Sequence, residues 1–355
     1  MLVLYDVAEQ IQLDKLREIL GTEPPRREPS FKHPAPEYVR FERPPVVEYP
    51  DAVFTDTREL FQNRIKYFDY GVISVELEID FEAEWDELVR LSSRWIAAPE
   101  IEKRTAELLK TRLNRIGPAL VQPYPSKLSE DYYVIYLREA LDQDGKPMTG
   151  AAMLAQRGEQ IAQIVRGESV PLAEAERNEA LQSSMSYYPC DLLVAGWVAA
   201  LVYDTPAGAV PTIQLLEYAN TQLLEFRHYD EVLTRVLENV YKILEHKESF
   251  LRQWRMARQA QRLNALRLDV TELTERTDNA IKFLSDMFYA RAYRVAAARV
   301  GVTDYRNLVE RKLRIAGDLY EFMVNQFNQA RSFVLEAMVV AILVIELIHL
   351  FRNGV

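Results

Sequence analysis

The chain of 355 residues has little of what many enzymes and secreted proteins depend on. Cys190 is its single cysteine, so neither an internal disulfide nor a cysteine-based zinc site can form, and a reducing compartment is expected. The twelve glycines are scattered and form no phosphate-binding loop, and the four histidines stand far apart. These absences argue against nucleotide chemistry and against a histidine-rich metal centre.

Catalytic constellations are also missing from the sequence. Ser183, Ser184 and Cys190 have no histidine nearby in sequence that could act as their base. Glu225 and His228 have the E-x-x-H spacing of half a di-iron site, a spacing that Glu346 and His349 repeat. Such a site also needs two further glutamates on facing helices, and we expect Glu225 and His228 on a solvated helix face. The sequence therefore predicts a protein that is not an enzyme and that holds no metal or cofactor.

Proline divides the chain into parts of different character. Eight prolines between Pro24 and Pro50 predict an extended strap, and no proline follows Pro211. Before about residue 180, alternating apolar patterns predict strands at 2–7, 70–79 and 133–137. Helices are predicted at 13–20, ending at Gly21, and from Phe81 to Ile96. Residues 1–180 are thus predicted to form a mixed α+β domain that contains the strap at 24–50.

Helical periodicity dominates the rest of the chain and predicts long antiparallel helices over 181–331. The last helix is predicted to start after Thr303–Asp304 and to run unbroken to the C-terminal segment. Its apolar residues are spaced by three and four, as in a coiled coil. They are Tyr305, Val309, Leu313, Ala316, Tyr320, Met323, Phe327, Ala330, Val334, Ala337, Ala341, Val344 and Ile348. The partner of this seam is either the preceding helix of the same chain or another copy.

The C-terminal stretch from Ser332 to Phe351 is almost wholly apolar but contains Glu336, Glu346 and His349. Its length predicts a single transmembrane anchor at 332–352, and a buried core or oligomer helix is the alternative. Because the preceding residues contain no export signal, the predicted location is the inner (cytoplasmic) membrane with the bulk of the chain on the cytoplasmic side.

The two acids of this stretch lie ten residues apart and therefore share one broad helix face. Ala337 and Ala341 lie toward the opposite side, in a small-xxx-small arrangement that lets helices approach closely. Two readings stay open: the carboxyl groups snorkel or are protonated near an interface, or they face the interior of a bundle of several subunits and line a cation path. The second reading requires a homo-oligomer, whose seam would include Tyr320, Met323, Phe327, Ala330, Ala337 and Ala341.

Charge is distributed unevenly along the sequence. The net charge is −10, but the segment from Arg252 to Arg314 contains fourteen basic and seven acidic residues. Such a basic segment predicts an acidic partner: lipid headgroups, RNA or the protein's own acidic surface. Within it, one helical face carries four arginines that could bind phosphates or pair with acids of a neighbouring helix. These are Arg252, Arg255, Arg258 and Arg262.

Three stretches in order resemble the required-for-meiotic-nuclear-division (sporulation) protein family. They read "YFDYGVISVELE", "SSMSYYPCDLLVAGWVAALVYD" and "FVLEAMVVAILVIELI", and the last contains Leu335–Glu336 and Ile345–Glu346 at the family's positions. The resemblance covers about residues 65–80 and 180–352, while the strap and residues 95–180 match nothing in it. It implies a membrane-anchored, self-assembling protein without established catalysis, some of whose mitochondrial relatives are implicated in organellar translation.

The sequence as a whole predicts an α+β N-terminal domain, a long-helix, coiled-coil-like domain and one C-terminal transmembrane helix. The predicted function is a membrane-anchored homo-oligomeric scaffold or assembly factor with membrane lipid as a partner. The alternative is a homo-oligomeric ion conduit, similar in plan to CorA-type magnesium transporters, although this chain lacks their Gly-Met-Asn loop. A soluble interaction module is a third possibility.

Overall fold

The structure, a computed structural model, describes residues 1–22, 44–50, 53–54, 59–142, 144–245, 261, 264–268, 270–271 and 287–353. The chain divides into two compact units. The first comprises Met1–His228 and Arg276–Tyr305, and the second comprises Tyr229–Glu275 and Arg306–Val355.

Strands concentrate in the first half of the described chain and long helices in the second. The strands are β1 (Leu2–Ile11), β2 (Val46–Glu48), β3 (Val53–Phe54), β4 (Leu60–Tyr67), β5 (Val72–Glu78), β6 (Leu120–Leu137), β7 (Ser184–Met185), β8 (Leu192–Ala195) and β9 (Ala199–Tyr203). The helices are α1 (Leu13–Leu20), α2 (Trp85–Ile96), α3 (Pro99–Ile116), α4 (Gly150–Arg166), α5 (Glu174–Leu181), α6 (Pro206–Glu245), α7 (Met287–Val300) and α8 (Val302–Asn353).

The strands form one mixed sheet in the order β2-β4-β5-β1-β6-β9-β8-β7, and β3 pairs with β4 beside this path. The long strand β6 joins the two halves of the sheet. Its residues 120–132 pair antiparallel with β1, and its residues 133–137 pair parallel with β9. The carboxyl ends of β6 and β9 therefore lie at the same edge of the sheet, and α6 starts there.

Alternation along the strands decides what each face of the sheet contacts. Ile73, Val75 and Leu77 of β5 belong to a large apolar core that also includes residues of α1, α2, α3 and α4. The intervening residues Ser74 and Glu76 point to the opposite face, where they bind charged side chains of α6 and β4. One face is thus an ordinary hydrophobic core, and the other is a polar layer beneath α6.

Several local predictions are confirmed. The helix at 13–20 ends at Gly21, which has φ +70° and whose N–H bonds the Arg17 carbonyl, as expected of a glycine that closes a helix. The strand predicted at 2–7 is part of β1, and the strand at 133–137 is the last part of β6. The last helix is continuous from Val302 to Asn353 and begins one residue before the predicted cap.

In the second unit, α8 packs against α6 at the start of the predicted seam. Ala316 lies in a cluster with Val236, Leu237 and Val240 of α6. Lys312 of α8 is 2.5 Å from the Asp230 carboxylate and donates a hydrogen bond of 2.6 Å to the Thr234 hydroxyl. This part of the seam is therefore covered by α6 of the same chain, which is not the preceding helix α7.

The predicted fold class is wrong in two respects. Among the helices in the described part of the chain, none is both long enough and apolar enough to cross a membrane. The uncharged run between Glu336 and Glu346 has nine residues, against about 20 for a span. This finding overturns the predicted transmembrane anchor at 332–352, the membrane-protein class and the inner-membrane location. A long coiled coil is also not seen in the described residues, where the sheet with its helices is the main architecture.

Candidate functional site

The polar layer of the first unit is built around a buried lysine. Lys66 of β4 lies 2.5 Å from a Glu217 carboxylate oxygen and 3.2 Å from one of Glu76. The Ser74 hydroxyl donates a hydrogen bond of 2.6 Å to Glu217, and Arg64 donates two hydrogen bonds to Glu76. The site therefore contains two cations and two anions on β4, β5 and α6.

Burial makes this network electrostatically strong. Lys66, Glu76 and Glu217 are each less than a tenth exposed. Burial opposes charge on Lys66, but Glu217 and Glu76 more than compensate and raise its pKa above the usual value. Burial likewise opposes charge on Glu76, but Lys66 and Arg64 hold the pKa of that carboxyl at about 2. Lys66 and Glu76 are therefore charged at neutral pH, and the formal charges of the two basic and two acidic side chains cancel.

A cleft of ≈ 2210 Å³ lies over this network, with Arg64, Lys66, Glu76 and Glu217 among its lining residues. Its walls are the segment after β5, the start of α2, the carboxyl end of β6 with the residues that follow it, and the first turns of α6. Pockets for small molecules usually measure about 300–1,000 Å³. This cleft is larger than such pockets and has the size of a groove for a polymer segment.

A second polar group lies farther along the same face of α6. His228 Nδ1 is 2.8 Å from an Asp6 carboxylate oxygen, and the Tyr124 ring stacks on the imidazole with centroids 4.3 Å apart. Burial raises the pKa of Asp6, and the bond to His228 opposes that shift. The prediction that Glu225 and His228 lie on a solvated face is wrong, because Glu225 is buried and His228 binds a buried carboxylate.

An Asp–His pair can orient a base, and nucleophilic catalysis would also need a nucleophile beside it. Ser183, a sequence candidate for that role, is buried and donates its hydroxyl to the Ala195 carbonyl at 2.6 Å. No group of His, Cys, Asp and Glu in the described residues has the arrangement of a metal site. The contact between Asp6 and His228 joins α6 to β1.

The sequence-predicted site residues lie in other places. Glu336, Glu346, His349, Ala337 and Ala341 are all exposed on α8. Tyr320 is also exposed, whereas only the helical backbone of Met323, Phe327 and Ala330 is described. The arginine stripe Arg252, Arg255, Arg258 and Arg262 lies outside the described residues. None of those whose side chains are described belongs to the polar layer, and the proposed roles of all of them stay predictions.

Sequence reasoning missed Lys66, Glu76 and Glu217, although one local signal for them existed. Arg64 and Lys66 alternate with apolar residues of β4, as Ser74 and Glu76 do in β5. Period-2 alternation normally indicates a solvated face, and only a helix across that face reveals burial. The alternation in β4 and β5 is visible in the sequence, but the contact with α6 that buries these polar residues is not.

Comparison with known proteins identifies related sequences for the first unit. The family described as "Uncharacterized protein MJ0711, N-terminal domain" matches residues 1–209. The uncharacterized protein MJ0711 of Methanocaldococcus jannaschii is 20% identical over 188 residues, which are 53% of this chain and 58% of that protein. No solved structure matches the chain.

These matches overturn the resemblance to the required-for-meiotic-nuclear-division family. That resemblance depended on short apolar motifs and on two glutamates in the last helix, features that many helical proteins can share. The matched family instead covers the sheet, including β4 and β5 and most of the cleft walls.

Proposed function

We propose, from the premise that this chain belongs to the family of the MJ0711 N-terminal domain, that it is a homo-oligomeric assembly protein without catalytic activity. The C-terminal part of α8 would join the copies, and the family domain would be displayed by the assembly. The single observation that carries this proposal is the exposed apolar surface of α8.

That surface consists of large aliphatic side chains in contact with solvent. They are Leu335, Met338, Val339, Val340, Ile342, Leu343, Val344, Ile345, Leu347 and Ile348, each about half exposed or more. A monomeric protein rarely exposes so many contiguous apolar side chains. These side chains lie on all sides of the helix, so one partner would cover those on one side of it. A partner for this surface would therefore stabilise the protein.

The sequence of the helix favours another copy as that partner. Ala337, Ala341, Val344 and Ile348 follow one another at spacings of four, three and four, so they form one narrow stripe. At 100° per residue, Glu336 and Glu346 lie on the side away from this stripe. Two copies can therefore pack along the alanine-containing stripe while both carboxylates remain outside the contact.

The mass of the chain in solution tests the proposal. We expect the parent protein to sediment above its monomer mass of 41.2 kDa. Val344→Lys should lower the assembly size, because it places a charge in the stripe. Val339→Lys makes the same change on the side of the two glutamates and should leave the assembly intact.

Three outcomes would contradict the proposal: a monomeric parent, equal effects of the two lysine variants, or partition of the parent into lipid vesicles in place of self-association. The alternative of an ion conduit stays a prediction, since no side-chain geometry in the described residues favours it.

A further inference from the structure

The cleft over the buried ion network has an acidic and aromatic entrance. The segment from Glu78 to Trp85 alternates acidic with apolar residues, and its acids are exposed while its apolar side chains are half-buried. Phe81, Trp85 and Trp95 line the same wall, with the Phe81 and Trp95 rings 5.8 Å apart. The entrance therefore combines negative charge with aromatic surface.

Most of the cleft's cations are already engaged. Arg64 and Lys66 belong to the neutral network at the floor, and Arg138 pairs with Asp80 at 3.3 Å. Arg157 lies over the Trp85 ring at 6.0 Å, which shows that this wall can accept a guanidinium group. In contrast, Glu82, Glu84 and Glu87 line the cleft and make no ion pair within the described residues.

We propose that this cleft binds an extended, basic segment of another polypeptide. The acids at Glu78, Asp80, Glu82 and Glu84 recur at every second residue, a spacing of about 7 Å in an extended chain. A segment with Arg or Lys at alternate positions places its charges at the same interval. Its guanidinium groups can pair with the exposed acids other than Asp80, which already binds Arg138, and can stack on the aromatic wall.

The size of the cleft and the paired charges at its floor support a polypeptide occupant. The cleft, at ≈ 2210 Å³, exceeds the volume that a small molecule fills. Arg64, Lys66, Glu76 and Glu217 pair with one another at its floor, so none of these four side chains is left to hold a buried counter-ion. Most of its walls lie within residues 1–209, so the cleft belongs to the family domain and the proposal does not depend on assembly through α8.

Peptide binding to the full-length protein tests this proposal. The probe is a fluorescent peptide in which arginine alternates with alanine, and the control peptide has glutamate in place of arginine. We expect the arginine peptide alone to bind, with an affinity that falls as salt is added.

Two pairs of protein variants locate the binding surface. The triple variant Glu82→Gln, Glu84→Gln, Glu87→Gln should bind about ten-fold more weakly, because three exposed ion pairs are lost. The same charge change at Glu9, Glu18 and Glu168, which are exposed outside the cleft, should leave binding within two-fold of the parent. Val210→Arg adds a positive charge inside the cleft and should also weaken binding, whereas Val170→Arg makes that change at another exposed site.

All substituted side chains are exposed, so thermal melting should show that every variant folds like the parent. The proposal is overturned if the parent does not bind the arginine peptide. It is also overturned if the control variants weaken binding as much as the cleft variants do.

Discussion

At the scale of single residues, the buried ion pairs beneath α6 have the clearest consequence for the stability of the protein. Lys66 and Glu217 are buried together, and each supplies the opposite charge without which the other would destabilise the fold. Glu76 balances both Lys66 and Arg64. Because a buried charge without its partner destabilises a fold strongly, this group of residues should control how the protein responds to acid.

The lowered pKa of Glu76 predicts an acid-dependent loss of stability. In the unfolded chain this carboxyl has its ordinary pKa of 4.5, and in the folded protein the pKa is about 2. The stabilisation is therefore complete above pH 4.5 and is lost as the pH falls toward 2. Its size is on the order of 3 kcal/mol.

Urea unfolding between pH 6 and 2 measures this dependence. The Glu76→Gln variant should be less stable than the parent at pH 6, and the difference should shrink as the pH falls. The raised pKa of Asp6 acts in the opposite direction in both proteins, so it cancels in the comparison. A constant difference across this range would show that Glu76 is not the titrating group.

At the scale of elements, the turn between β4 and β5 requires glycine for reasons of space. Gly71 has φ +90°, and a Cβ built there would lie 1.8 Å from the Ala8 carbonyl oxygen. The Val7 N–H bonds the Gly71 carbonyl at 3.0 Å, so the turn is fastened to β1 at this point. A side chain at Gly71 would push the turn away from the strand that it joins.

Two alanine substitutions distinguish the steric clash at Gly71 from the backbone strain that alanine has at any position with a positive φ. Gly71→Ala should destabilise the protein by about 3 kcal/mol or more, through strain and overpacking together. Gly21→Ala also places alanine at a positive φ, but nothing lies within 4 Å of the added Cβ. We therefore expect the free energy of unfolding to fall by only about 1 kcal/mol. Chemical unfolding of both variants checks the difference, and equal losses would remove the steric argument.

At the scale of the whole molecule, the prediction concerns α8 and the association of copies. Replacing Ala341 by leucine should weaken close helix approach by about 1–3 kcal/mol through overpacking. The parent's melting temperature should rise with protein concentration, because association stabilises the folded state, and Ala341→Leu should reduce that rise. Ala151→Leu, at an exposed position of α4, is the matched control. A parent whose melting temperature does not change with concentration would contradict the prediction.

Local patterns were sufficient for features that neighbouring residues determine by themselves. The closure of α1 at Gly21 and the unbroken course of α8 follow from hydrophobic period and glycine conformation, which act within a few residues. The prediction that the C-terminal helix crosses a membrane was wrong, because it gave the many apolar residues more weight than Glu336 and Glu346, which interrupt the apolar run.

Tertiary structure alone decided which charged residues became buried. Lys66 and Glu217 are 151 positions apart and meet only because α6 crosses the face of the sheet that contains β4. The same crossing buries Glu225 and joins His228 to Asp6, although the sequence favoured a solvated face for both. Alternation along a strand distinguishes its two faces, but it does not reveal what will cover each face. That depends on contacts between residues distant in sequence, which the local pattern does not encode.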